Sequence, residues 1–222
     1  MRVSWRSELP MWLLIGAQFL LAAGSWPDSP DRVPTRWALD GNVDGYGDRF
    51  QGLLLLPLVS LGLYLALLFA PQVGPRRENY PHFAGSYTLL RFAVLAVMTA
   101  MYGMIQLAMR GYPVPVTRVI PLSIGALFLV IGSQMGRLRP NWFGGARSPW
   151  TLSSELSWYR TNRLAGWLLI AAGAMLLLAG LLGSALLMVA TVAATVLGAL
   201  GLNGYSYRVW EADPNKNGAD PI

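Results

Sequence analysis

Cysteine is absent from the 222 residues, which excludes a disulfide framework, a thiol nucleophile and a cysteine-held cluster. Histidine occurs once, at His82, so no histidine-built zinc site is available. Charge is scarce, at 13% of residues against roughly 25% in soluble domains. Acids are scarcer than bases, 11 against 17, and Lys216 is the single lysine. No serine-hydrolase elbow, phosphate loop, HExxH or long heptad run occurs. Nothing in the residues therefore calls for a catalytic site, a metal or a cofactor. Nor does the net charge of +6 describe a nucleic-acid surface, because the basic residues alternate with apolar segments.

What is present is hydrocarbon: 54% of residues are hydrophobic, gathered in six runs. These are Leu9–Trp26, Gly52–Ala70, Tyr87–Met109, Val116–Met135, Leu164–Leu182 and Ser184–Leu202. Each approaches the ~20 residues a helix needs to cross a bilayer. Leu164–Leu202 carries no charge over its whole length and reads as a tight helical hairpin turning at Gly183-Ser184. The first run also has the basic start and small residues Ala22–Ser25 of a signal peptide, but is read as a span. Small residues Ala190, Ala194 and Gly198 repeat every fourth position, a spacing that lets helix backbones approach in lipid and that also occurs in ordinary Ala-rich spans. Gln18, Gln106 and Gln134 are expected to hydrogen-bond between helices, and Arg91, one turn inside the third run, to snorkel to the surface.

The expectation is an all-α polytopic membrane protein with six transmembrane helices, an ordered outer loop and an amphipathic loop on the opposite side. Counting Lys and Arg by side gives twelve with the termini and five opposite, which favours both termini inside. The chain divides into a first helical hairpin (1–75) holding an extracytoplasmic module (26–51), a four-helix domain (76–210) holding the 136–163 loop, and a polar cytoplasmic tail (211–222).

Two loops depart from this apolar background. The one following the fourth run carries Arg137, Arg139, Arg147, Arg160 and Arg163 against the single acid Glu155, with Trp142, Trp150 and Trp158. Ser148-Pro149 breaks the backbone there, and Thr151 or Ser153 is placed to cap a short helix with Glu155 in its first turn. Leu152, Leu156 and Tyr159 then share a face, so the expected element is an interfacial amphipathic helix with Trp at headgroup depth. The loop reads first as a structural plug on the cytoplasmic face of the bundle, next as a partner or ligand site, and least as a catalytic one. The other loop, after the first run, has Pro27, Pro30 and Pro34 and the turn dipeptides Asp40-Gly41 and Asp44-Gly45. Asp40, Asp44 and Asp48 either converge on a cation or, the favoured reading, pair with Arg36 or Arg49.

The 136–163 loop resembles the signature of the SdpI family of bacterial immunity proteins, which runs roughly PNxxxGIRTPWTL…W…THRxxG. Matching positions are Pro140, Asn141, Gly144, Arg147, Pro149, Trp150, Thr151, Leu152, Trp158, Thr161, Arg163 and Gly166. The outer loop resembles the short module that often precedes such a domain, through Val33, Pro34, Thr35, Trp37, Gly41, Asp44 and Gly45. Three positions depart: Arg36 and Asn162 stand where relatives usually have His, and Ser133 where they have Asn. Arg36 can neither titrate nor ligate a metal.

The resemblance implies a non-enzymatic inner-membrane protein that confers immunity to, or senses, a secreted membrane-active peptide. It also implies possible capture of a transcriptional repressor at the cytoplasmic face. The expected partner surface is Pro140, Asn141, Gly144, Arg147, Pro149, Trp150, Thr151, Trp158 and Arg163. The expected outer surface is Pro34 to Trp37, Gly41, Asp44, Gly45 and Asp48. A small transporter or lipid-interacting protein is the alternative, with a membrane enzyme behind it. A transporter calls for acids facing the bundle interior and interrupted spans.

Overall fold

In the computed structural model, residues 5–73, 77–141 and 144–216 are described. Arg2, Arg76, Trp142 and the end of the tail lie outside them. Among the described residues six helices are long and apolar enough to cross a membrane, and the protein is a multi-pass membrane protein. They are α1 (Trp5–Ser25), α3 (Leu55–Val73), α4 (Ala84–Met109), α5 (Val116–Met135), α7 (Glu155–Leu182) and α8 (Ala185–Glu211). Short helices α2 (Arg49–Leu53) and α6 (Pro149–Ser153) precede α3 and α7.

The outer loop adds an element that the turn dipeptides only hinted at. Strands β1 (Val33–Trp37) and β2 (Val43–Gly47) form an antiparallel hairpin with irregular register around Arg36. Its turn is closed by Ala38 and Asn42, and Gly41 takes the left-handed conformation at φ 90°.

α1 and α3 both lie against α4, and polar layers mark the α1–α4 seam. Gln18 donates to Thr99 at 2.8 Å, and Ser25 to Gln106 at 2.8 Å. Gln134 on α5 accepts from Ser86 on α4. All three glutamines thus make the expected interhelical bonds, which the dry interior of a span rewards. Apolar layers of Met11, Ile15, Tyr64 and Leu95 alternate with them.

Arg91 does not snorkel. It is buried beside Glu8, its Nη2 donating to Oε1 at 2.6 Å, while the Tyr64 hydroxyl donates to Oε2 at 2.9 Å. The Tyr64 and Tyr87 rings flank the guanidinium at 6.0 and 5.7 Å. One carboxylate 83 positions away in sequence replaced the water that snorkelling would have sought. A buried acid of the kind a transporter needs is therefore present, but it is committed to an arginine and a tyrosine.

The closest helix pair is α5 with α7, and glycine makes it possible. A Cβ added at Gly125 would lie 2.8 Å from the Gly173 carbonyl oxygen, and one at Gly132 would lie 2.7 Å from that of Gly166. Such contacts are possible only without side chains, which is how small residues drive association in lipid. The Ala190, Ala194 and Gly198 stripe does not serve that purpose; it lines a groove instead.

Candidate functional site

The 136–163 loop folds inward, and short-range capping chemistry sets its path. Ser148 caps α6 in a capping box: its side chain accepts from the Thr151 amide, and the Thr151 hydroxyl accepts from the Ser148 amide at 2.8 Å. One turn later Ser154 caps α7, accepting from the Ser157 amide at 3.0 Å. The observed caps are thus Ser148 and Ser154, not Thr151 or Ser153. The second cap carries a larger consequence. With its first amides satisfied, α7 starts at Glu155 and runs unbroken into the membrane. The expected separate amphipathic helix is instead the first turns of the fifth span.

Trp158 accordingly sits in the protein core and not on an exposed face. It is 0% exposed, packed among Tyr80, Phe83, Tyr87, Met135 and Leu138, and its indole N–H donates to the Leu138 carbonyl at 2.9 Å. Asn162 closes the loop from the same helix. Its side-chain oxygen accepts from the Ala146 amide at 2.7 Å, and its amide nitrogen donates to the Trp158 carbonyl at 3.0 Å. Gly145 passes directly over this pair at φ 102°; a Cβ there would come within 3.2 Å of the Trp158 ring. Asn141 turns the preceding segment, accepting from the Gly144 amide at 2.7 Å. Asn79 donates to the Pro140 carbonyl at 2.8 Å.

The end of α8 completes the plug. The Ser148 and Ser206 hydroxyls are 2.9 Å apart, Ser157 donates to the Ser206 carbonyl at 2.9 Å, and Ser154 donates to Asp213. The Ser154 hydroxyl, the Asn215 amide and the nearby Lys216 charge hold the Asp213 carboxyl below its ordinary pKa. Trp150 lies half-buried, edge-on to Tyr207 with centroids 5.3 Å apart.

The signature residues therefore divide. Pro140, Asn141, Thr151 and Trp158 point into the plug, while Arg147, Pro149 and Arg163 are exposed and Gly144 and Trp150 lie between. Arg137, Arg139, Arg160 and Arg208 are exposed as well, so the outward face is cationic. Sequence reading missed Ser154, Ser206 and Asp213, whose pairing spans 59 positions for Ser154 and Asp213 and leaves no local pattern.

On the opposite side, the three acids take separate partners. Arg36 Nε donates to Asp44 Oδ1 at 2.8 Å across the hairpin. Asp40 accepts from both the backbone and the side chain of Asn42, which lowers its pKa. Asp48 caps α2 by accepting from the Gln51 amide at 2.8 Å. Arg49 pairs with Asp31 and with none of the three. Among the described residues no group of three His, Asp or Glu is placed to hold a metal. Gly45 lies under the Arg36 side chain, where a Cβ would meet the Arg36 Cβ at 2.9 Å. Pro34 is buried, Thr35 and Trp37 half-buried, and Leu39, Tyr46 and Phe50 exposed.

Comparison with known proteins agrees with this layout. Residues 137–205 match the SdpI/YfhL protein family, and residues 13–61 match a domain of unknown function, DUF1648. The protein named Immunity protein SdpI from Bacillus subtilis (strain 168) is 24% identical over 162 residues, covering 72% of this chain and 75% of that one. No solved structure matches. The signature loop and the N-terminal module fall within these two matched segments, and over them the chain resembles the SdpI family.

Proposed function

We propose that this is an immunity protein of the bacterial inner membrane, protecting its cell from a secreted membrane-active peptide. The alignment to a relative named as an immunity protein carries this reading, because it extends over most of both chains. In this reading both termini and the signature loop face the cytoplasm and the β1–β2 module faces outward. The outer module meets the peptide through Trp37 and the exposed Leu39, Tyr46 and Phe50. The cationic cytoplasmic rim, with Arg147, Arg163 and Trp150, docks a repressor. Deleting the gene is expected to sensitise the cells to peptides in their own culture supernatant, and expression in trans to restore survival. Equal survival with and without the gene would sink the reading.

Orientation is tested separately, since the chain has no cysteine to interfere. Asp44→Cys is expected to react with an impermeant maleimide in intact cells, and Asn215→Cys only after the membrane is opened. Labelling of position 215 in intact cells reverses the assignment.

The outer module makes its own prediction. Trp37→Ala is expected to weaken binding of a cationic membrane-active peptide to the purified protein at every salt concentration. Asp44→Asn with Asp48→Asn is expected to weaken it mainly at low salt, because exposed charges act over a Debye length of roughly 8 Å at physiological salt. The rival expectation is that these acids serve only Arg36 and the α2 cap. The double variant would then lose stability, typically about 1 kcal/mol for a cap, and leave binding unchanged.

A further inference from the structure

The two strands of the outer hairpin are not equivalent. The sheet holds β1 and β2 alone, so each has one side without a strand partner. β1 is enclosed by helices. It packs against α2 and α4, Val33 and Pro34 are buried, and a Cβ added at Gly52 would come within 2.4 Å of the Val33 side chain. β2 meets α2 at Gly47, beside Gln51, and its other residues are exposed or half-buried. Beyond its pairing with β1, the β2 backbone makes one hydrogen bond among the described residues: the Asp44 carbonyl accepts from Arg36 Nη2 at 3.1 Å.

An open strand edge presents a row of N–H and C=O groups spaced for one kind of ligand, another extended backbone. Proteins normally blunt such edges with proline, with basic side chains or with a covering element. β1 has Pro34 and its helices. The β2 sequence VDGYG has neither a proline nor a basic residue, and only the Arg36 bond at Asp44 covers part of it.

Charge selects among extended chains. The whole protein carries +6, yet residues 26–51 hold five Asp against three Arg, so the module is locally acidic on a basic chain. Along β2 every second residue is exposed, and three of these are Asp44, Tyr46 and Asp48. Asp48 continues the strand, since its backbone is still extended at φ −73° and ψ 178°. The exposed row therefore reads acid, aromatic, acid at a two-residue period. Side chains of an added strand fall directly beside such a row, about 4.5–5.5 Å away. The complementary row is basic, apolar, basic at the same period.

We propose that β2 binds a cationic peptide as an added third strand, with basic residues beside Asp44 and Asp48 and an apolar residue between them on Tyr46. The inference rests on the reading of the outer module as the peptide-binding face and assigns its mode of recognition. Main-chain bonds along β2 hold the peptide, and the acid–aromatic–acid row sets its register.

The test keeps the protein unchanged and alters the probe. The full chain in neutral phosphatidylcholine nanodiscs is titrated with a fluorescent peptide, Thr-Lys-Thr-Val-Thr-Lys-Thr, against empty nanodiscs as the blank. Two further peptides carry backbone N-methyl groups, one on the Thr residues and one on the Lys and Val residues. Successive N–H groups of a strand point to opposite edges, so only one methylated peptide blocks the paired edge. That peptide is expected to bind at least roughly tenfold more weakly than the parent, and the other to bind within about threefold of it. Glu in place of both Lys is expected to weaken binding at least roughly tenfold as well. Amide exchange is expected to slow in Val43–Gly47 on binding. No binding by the parent peptide, or two methylated peptides that behave alike, overturns the added strand. Equal binding of the Glu peptide overturns the role of the acids, and protection outside β2 overturns the site. Because the readout is purified protein with a synthetic probe, its failure is distinct from that of the survival test, which asks only whether the gene protects cells.

Discussion

Glu8→Ala is expected to destabilise the folded protein by about 3–5 kcal/mol, the scale found when one partner of a buried ion pair is removed. Arg91 is 1% exposed and Glu8 4%. The guanidinium has little besides Glu8 to satisfy it: Nε and Nη1 have no hydrogen-bond partner among the described residues, and the tyrosine rings on either side offer only their faces. Without the carboxylate, a full positive charge is left inside a helix bundle where water cannot follow. The Tyr64 hydroxyl loses its acceptor at the same time. Replacing both charges, with Glu8→Leu and Arg91→Leu, is expected to recover most of the loss, because a well-packed apolar pair removes the desolvation cost along with the attraction. Unfolding midpoints in an SDS titration of the purified variants measure both effects. A single variant as stable as the parent would show that the pair is solvated in the bilayer. A double variant that is stable yet fails to protect cells would assign the pair a role beyond holding α1 and α3 against α4.

This pair also shows what the sequence withholds. Six spans were legible because hydropathy is a local, one-dimensional property, and the two loops stood out because charge and Trp concentrate there. Whether Arg91 reaches outward to water or inward to an acid depends on a helix 83 positions earlier. The α5–α7 contact is similar. Gly125 and Gly132 on one helix and Gly166 and Gly173 on the other each repeat every seventh residue, but neither repeat identifies its partner. The stripe at Ala190, Ala194 and Gly198 had the more familiar spacing and faces a groove. In the signature loop, capping residues were recognisable by type but not by position. Ser148 and Ser154 hold the two caps, and the second extends the fifth span by nine residues beyond its apolar run, from Leu164 back to Glu155. That extension is what carries Trp158 into the core.

The same division predicts how the signature residues respond to substitution. Trp158→Ala removes a fully enclosed indole, and large-to-small changes of this kind cost about 3–5 kcal/mol. It also leaves the buried Leu138 carbonyl without its donor, a further loss of roughly 1–3 kcal/mol where water cannot enter. Trp158→Phe keeps most of the packing and is expected to lose mainly the hydrogen bond. Arg163→Ala, at an exposed position on the same helix, is expected to change stability by no more than about 0.5 kcal/mol. Arg147→Lys keeps a positive charge and loses the planar fork that grips a carboxylate or phosphate. Protein level and protection, measured together in cells, separate the two sets. Trp158→Ala is expected to lower both in step, as a plug residue must. Arg147→Lys, Arg163→Ala and Trp150→Ala are expected to leave the protein in the membrane and reduce what it does there. If the exposed variants protect as well as the parent, the loop is a plug alone and its arginines answer only to the bilayer surface. If they fail while the protein accumulates normally, the cationic rim is the surface through which the buried plug acts.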